Sequence, residues 1–256
     1  GLDQTVKRPA RVDAFYERLN AAVQSQPEAA ARYGDVVALM RRVQARLADA
    51  PIAMELEGPD GGPVAFLFTK DHMQQISAYA ADPGNAVWIL QLYAALDAGD
   101  TGFARAMAQR LFEPGAPITL RAMSTAMDVA SGISPARLAQ VEAEAETSLV
   151  GGYQNFPMPQ LNLVWPDMDL GAAFREEAVY DGPVLLLTGT LDGRTFPEGQ
   201  AEATAGLSDI TRVTVVNAGH NLFMTSPQVG AVMHAFMRGD PVEGEIIVDL
   251  PDFAGR

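Results

Sequence analysis

Two side chains that could carry acid–base chemistry follow two predicted strands in the last third of the sequence. Residues 184–188 form an unbroken apolar run, and Asp192 lies in the turn after it. His220 follows a second apolar run at residues 213–216. Because the carboxyl ends of parallel strands meet at one edge of a sheet, we expect Asp192 and His220 to lie close together. An Asp that accepts the Nδ1 proton of a His orients it as a general base, so the pair predicts two members of a Ser-His-Asp triad.

Each of these residues also has a simpler interpretation. Asp192 precedes Gly193, and an Asp before a Gly commonly stabilises a turn. A lone His after a strand is more often structural than catalytic. The two residues together favour catalysis, because they occupy equivalent strand ends separated by a single predicted helix.

No serine in the sequence has the surroundings of a hydrolase nucleophile. The Gly-x-Ser-x-Gly pattern, which holds a serine on a sharp strand-to-helix turn, does not occur. Ser134 follows a Gly by two residues, but Pro135 lacks the amide that would help to form an oxyanion hole. Ser208 lies between Asp192 and His220, which is the wrong chain order for this arrangement. Helix capping and turn formation account for both serines, so we predict that the nucleophile lies outside this chain.

The other polar residues predict no metal site and no cofactor. His72 opens a predicted helix and His234 lies on the polar side of another, and neither has a second ligand at metal spacing. Glu142, Glu144 and Glu146 could recognise a substrate amine, but the pattern favours a solvated helix face.

The composition excludes several classes of partner. The net charge is −14, and no basic stripe is available to neutralise phosphates, which argues against nucleic acid and against anionic membranes. The sequence contains no run of about 18 apolar residues, so it predicts no membrane span. The absence of cysteine excludes disulfides, thiolate zinc sites and a Cys nucleophile. The compartment stays open.

The first two thirds of the chain, up to about residue 170, have mainly helical periodicity. Helices are predicted over residues 10–50, 71–81, 86–98, 101–113, 118–130 and 135–149. A β-hairpin near 52–69 interrupts them, with strands at 52–57 and 64–69 around a turn rich in Gly and Pro.

The last third, residues 171–256, follows a different pattern that indicates α/β architecture. Helices predicted at 197–207 and 227–237 each follow one of the strands at 184–188 and 213–216. Unbroken apolar runs are typical of parallel strands buried on both faces. We therefore predict about two parallel core strands with their helices.

Residues 183–222 strongly resemble the C-terminal part of α/β-hydrolases of the proline iminopeptidase and tripeptidyl aminopeptidase group. Two motifs carry the resemblance: a Gly-Thr-Leu-Asp-Gly-Arg-Thr turn around Asp192, and Asn-Ala-Gly-His ending at His220. In that group the corresponding Asp and His belong to the catalytic triad. The resemblance implies the same roles for Asp192 and His220 here, and a small peptide or ester as the substrate.

Upstream the resemblance is looser. Residues 155–159 and 173–175 look like the connection from lid to core in these enzymes, and residues 1–5 look like the segment after the strand that follows the nucleophile-bearing helix. The resemblance thus implies a helical lid over residues 1–170 and the C-terminal portion of the α/β-hydrolase core over 171–256.

In the family the nucleophile precedes the lid, so we expect this chain to be a serine-hydrolase fragment that is inactive alone. Two parallel strands with open edges would be a poor core. The strands are therefore expected to dock on the missing N-terminal half of the core, or to self-associate. The competing hypothesis is a non-catalytic helical binding module with an idle Asp-His pair.

Overall fold

A computed structural model describes residues 7–117 and 119–255, so the segment 1–5 lies outside the described residues. The helical part contains α1 (Pro9–Gln24), α2 (Pro27–Tyr33), α3 (Val36–Asp49), β1 (Ile52–Glu57), β2 (Pro63–Phe68), α4 (Lys70–Tyr79), α5 (Pro83–Asp97), α6 (Gly102–Phe112), α7 (Ala122–Ser131), α8 (Pro135–Ala145) and the short α9 (Gln160–Val164). The last third contains β3 (Tyr180–Gly189), α10 (Pro197–Ala203), β4 (Leu207–Val216), α11 (Pro227–Met237) and β5 (Glu245–Ile247). The fold is thus mixed α/β.

Several helices begin where a short polar side chain can satisfy the free amides of the first turn. Asp35 accepts from the Ala38 amide (2.8 Å), and Asp82 accepts from the Gly84 amide (2.9 Å). Ser134 accepts from the Arg137 amide (3.3 Å) ahead of a proline at the first helical position. Ser134 is therefore a helix cap, as predicted.

The largest hydrophobic core lies among α1, α3, α4 and α5, and the predicted hairpin packs against it. β1 and β2 pair antiparallel, which confirms the hairpin. The buried side chains Phe15, Tyr16 and Tyr93 fill the centre of the core. Leu191 and Phe196, from the turn after β3, belong to the same core. The division near residue 170 stays a prediction, but side chains from both sides of it share one interior.

The parallel sheet has three strands in the order β3-β4-β5, not the two predicted. Leu187 pairs with Val213 in β3-β4, and Val215 pairs with Ile246 in β4-β5. The third strand covers only three residues, too few to show a period in the sequence. The helix predicted over 197–207 is also shorter, because α10 ends at Ala203 and Leu207 already belongs to β4.

The prediction that both strands are buried on both faces is wrong for β3 in the described chain. Residues 184–188 are all only half-buried. Val179, just before the strand, is 80% exposed, and Tyr180, its first residue, is 54% exposed. The reason is position: β3 lies at the end of the sheet, and within the described residues only β4 pairs with it. One edge of β3 therefore faces solvent.

Candidate active site

Asp192 lies in a tight turn at the carboxyl end of β3. Its Oδ1 accepts from the amides of Arg194 (2.7 Å) and Thr195 (2.8 Å), so the carboxylate organises the turn that carries it. The turn is tied to the next loop, because the Leu191 amide donates to the Ala218 carbonyl (2.9 Å). Asp192 is therefore a turn residue, as its simpler interpretation predicts, and this role uses Oδ1.

His220 lies in the loop after β4, which approaches the Asp192 turn closely. Asn217 begins this loop with a left-handed backbone (φ 68°), and its amide donates to Thr190 Oγ1 (2.8 Å). A Cβ on Gly189 would lie only 2.6 Å from the Ala218 carbonyl oxygen, so the close approach requires glycine there. The two loops thus form one unit at the carboxyl edge of the sheet, where the sequence placed the pair.

The two predicted site residues are in contact. His220 Nδ1 lies 3.1 Å from Asp192 Oδ2, and the Asp192 side chain is only 6% exposed, against 31% for His220. An ionised carboxylate can only accept, so the contact favours the neutral tautomer with its proton on Nδ1. Among the described residues, Nε2 has no hydrogen-bond partner. This is the arrangement of a general base whose working nitrogen is free.

Thr195 is a member of the site that the sequence reasoning missed. Its hydroxyl donates to Asp192 Oδ2 (2.7 Å) and lies 3.2 Å from His220 Nδ1. Its amide also binds Asp192 Oδ1. The signal was present in the sequence, because a Thr three residues after an Asp can close such a turn from both ends.

Residues of the helical part contact the two loops that carry Asp192 and His220. Arg18 of α1 donates from Nε to the Thr190 carbonyl (2.7 Å) and forms an ion pair with Glu198. The connection between α4 and α5 is closer still: a Cβ on Gly193 would lie 1.8 Å from the Ala81 carbonyl oxygen. Asp82 Oδ2 lies 3.5 Å from the His220 amide. The geometry of the pair therefore depends on the helical part as well as on the sheet.

A cleft of about 1060 Å³ opens onto His220. This volume is at the upper end of the range of about 300–1,000 Å³ for small-molecule sites. Its wall combines aromatic and aliphatic side chains with polar ones, including Tyr79, Trp88, Phe103, Met107, Leu111, Tyr153 and Phe156. The cleft is thus large enough to hold a small peptide or ester next to His220.

The other candidate residues lie in different surroundings. His72 Nδ1 accepts from the Thr69 amide (3.1 Å) at the start of α4, and burial lowers the pKa of His72. His234 is exposed on α11. Glu144 is bound by Arg8 and by the Ala10 amide, so it holds the start of α1. The side chains of Glu142 and Glu146, like that of Glu144, do not line the cleft.

Among the residues that the structure describes, there is neither a candidate metal site nor a membrane-spanning helix. No group of three or more His, Asp or Glu side chains is placed to hold a metal ion. No described helix is long and apolar enough to cross a membrane.

Comparisons with protein-family models, with curated proteins and with solved structures found no match to this chain. The fold and the site therefore define the class only as a mixed α/β protein with a parallel sheet and a paired Asp and His at its carboxyl edge.

Proposed function

We propose that this chain supplies the lid and the C-terminal core of a serine hydrolase. The contact between His220 Nδ1 and the buried Asp192 carboxylate carries the proposal, because it leaves Nε2 without a partner among the described residues and His220 lines a large cleft. A role in the turn would explain why Asp192 is buried. It would not explain why the partly exposed imidazole of His220 is held against this carboxylate. The nucleophilic serine lies on polypeptide outside this sequence.

In the intact enzyme, the serine Oγ attacks an amide or ester carbonyl while His220 Nε2 accepts its proton. Asp192 orients the ring and stabilises the imidazolium. The proton then passes to the departing amine or alcohol, and an acyl-enzyme remains. His220 next deprotonates a water molecule that attacks this acyl group, which regenerates the serine and releases the acid. The oxyanion hole also lies outside this chain.

The open edge of β3 supports the need for a second polypeptide. Peptide groups on an unpaired edge are available to another strand. The segment before β3 is also apolar and exposed, with side chains that include Leu163, Val164, Leu170, Phe174 and Val179. Such a surface is typical of an interface with another chain or domain. We therefore propose that the N-terminal half of the hydrolase core docks here.

The alternative is a binding module in which the pair is idle. Its supporting observation is that Asp192 already satisfies the amides of Arg194 and Thr195, a role that needs no catalysis. The two functions differ in whether His220 activates a serine.

Labelling by a fluorophosphonate probe separates them. The chain is produced together with the polypeptide encoded immediately upstream, which we expect to contain a Gly-x-Ser-x-Gly motif within about 100 residues. We expect labelling of that serine, slowed at least about a thousandfold by His220→Ala, and no labelling of the chain alone. His234→Ala, at an exposed histidine, is the matched control and should label normally. An upstream polypeptide without the serine, or equal labelling of His220→Ala, would support the binding module.

A further inference from the structure

The cleft beside His220 has the opposite charge to the chain as a whole. The sequence carries 32 acidic and 18 basic residues, yet the cleft is lined by Lys7, Arg110 and Arg194 and by only one acidic side chain, Asp82. Asp82 is already engaged, since it caps α5 through the Gly84 amide. A cleft with this balance attracts an anion.

The three cleft cations differ from about half of the arginines of this protein, which are held by carboxylates. Arg8, Arg11, Arg18, Arg41, Arg42, Arg137, Arg175 and Arg238 each form an ion pair. Across residues 7–117 and 119–255, no carboxylate lies within ion-pair distance of Lys7, Arg110 or Arg194. Their charges are therefore available to a ligand.

Lys7 is the most strongly constrained of the three. The Asn155 side chain accepts from the Lys7 amide and donates to its carbonyl, both at 2.7 Å, so the backbone is fixed against the cleft wall. Burial, together with the nearby charge of Arg194, lowers the pKa of Lys7, and the charges of Asp192 and Asp128 oppose this shift only in part. Lys7 is partly buried and Arg194 is exposed beside it, and a cation that is partly out of water gains more from a bound anion than an exposed one would.

We propose that the substrate of this site carries a carboxylate close to its scissile carbonyl, bound by Lys7 and Arg194, with Arg110 as a third cation of the cleft lining. This inference rests on the proposed function, because it names the substrate class of the same site. A monoanion suits the cleft better than a phosphate dianion, since Asp82 and Asp192 lie at the same end. The carboxylate belongs either to the acyl side, as in a half-ester of a dicarboxylic acid, or to the leaving side, as in a short peptide with a free C-terminus.

The cleft lining does not suit a substrate amine. Glu144, one of the residues considered for that role, is bound by Arg8, and it lies outside the cleft together with Glu142 and Glu146. A free amine would instead meet Lys7 and Arg194. Like charges at close range are unfavourable, so a carboxylate is the better match.

Binding to the full chain tests the inference without any serine. Trp88 lines the cleft, and Trp165→Phe makes it the single tryptophan, so ligand binding can be followed by its fluorescence. N-acetylphenylalanine is compared with its neutral amide, and monobenzyl glutarate with its neutral methyl ester. We expect at least one acid to bind roughly tenfold tighter than its neutral partner, and the identity of that acid distinguishes the two sources of carboxylate.

Variants localise the effect. Lys7→Gln and Arg194→Gln should each remove most of the preference for the acid. Arg105→Gln is the matched control, because Arg105 is exposed on the same helix as Arg110 but outside the cleft, and it should preserve the preference. Equal binding of acids and neutral partners, an unchanged preference in both cleft variants, or tighter binding of phenyl phosphate would overturn the inference. None of these results depends on the serine. The proposed acyl transfer is tested separately by the fluorophosphonate labelling.

Discussion

At the scale of single residues, the two carboxylate oxygens of Asp192 make different sets of contacts. Oδ1 is used by the turn, through the amides of Arg194 and Thr195. Oδ2 faces His220 Nδ1 and also accepts from the Thr195 hydroxyl. A carboxylate with four donors in a buried turn is fixed in position. The orientation of His220 therefore follows from the same contacts that fold the turn.

Removal of this carboxylate should destabilise the fold. Asp192→Ala leaves two backbone amides and a hydroxyl without their acceptor in a mostly buried place, so we expect the free energy of unfolding to fall by about 2–4 kcal/mol. Urea denaturation of the chain measures it. The control is Asp209→Ala, at an exposed position on β4, which should change stability by less than about 0.5 kcal/mol. Equal stability of the two variants would show that the turn does not depend on Asp192.

At the scale of elements, the sequence predicts the hairpin and most of the long helices, because most have an apolar period and several, including α3, α5 and α8, begin at a polar cap. The contact between Asp192 and His220 was also predictable, since parallel strands end at one edge. The contribution of Thr195 was missed although its contact with Asp192 spans only three residues. The contact of Gly193 with Ala81 was not predicted, because it depends on how distant segments meet. β5 was missed because three residues are too short for a pattern.

The contact between the Asp192 turn and the connection after α4 gives a test at this scale. Gly193→Ala places a Cβ against the backbone carbonyl of Ala81, so something must move, and we expect a loss of about 1–3 kcal/mol in the free energy of unfolding. Gly230→Ala is the control. It has nothing within 4 Å and lies inside α11, so alanine should raise stability by about 0.5–1 kcal/mol. A neutral Gly193→Ala would contradict the close packing.

The start of α4 should weaken in acid. Burial lowers the pKa of His72, so the unfolded chain binds its proton more readily than the folded chain does. The contribution of neutral His72 is therefore present above its unfolded pKa of about 6.5 and is lost as the pH falls through the folded value. Protonation of Nδ1 also removes the acceptor for the Thr69 amide.

His72→Gln isolates this effect, because Gln can accept from the helix-cap amide at any pH. Between about pH 7.5 and 5.5, we expect the variant to lose less unfolding free energy than the wild type in urea titrations. His234→Gln, at the exposed histidine, should follow the wild type. Identical pH dependence in all three proteins would exclude His72 as a source of acid sensitivity.

At the scale of the whole molecule, the described sheet ends in β3 on one side and in the three-residue β5 on the other. β4 is flanked on both sides, whereas β3 has a partner on one side only among the described residues. The sequence pattern of residues 184–188 is that of a fully buried strand, but these residues are half-buried here. A polypeptide docked on β3 would bury these residues further and so bring their burial into line with their apolar sequence.

Amide exchange should register that docking. In the chain alone, we expect the amides of residues 184–188 that point away from β4 to exchange quickly, and those of central β4 to exchange slowly. Addition of the upstream polypeptide should protect the β3 edge and leave β4 unchanged. Strong protection of the open edge in a monodisperse monomer would contradict the docking proposal.

The central claim is that Asp192 holds His220 with its proton on Nδ1 and leaves Nε2 as the base. Nitrogen-15 NMR of the three histidines, with His220→Gln to assign the signals, reads this tautomer directly in the chain alone. We predict an Nδ1–H, Nε2-unprotonated neutral ring at His220. In Asp192→Asn the proton should move to Nε2, since the amide can donate to Nδ1. A wild-type His220 that carries its neutral-state proton on Nε2 would contradict the account.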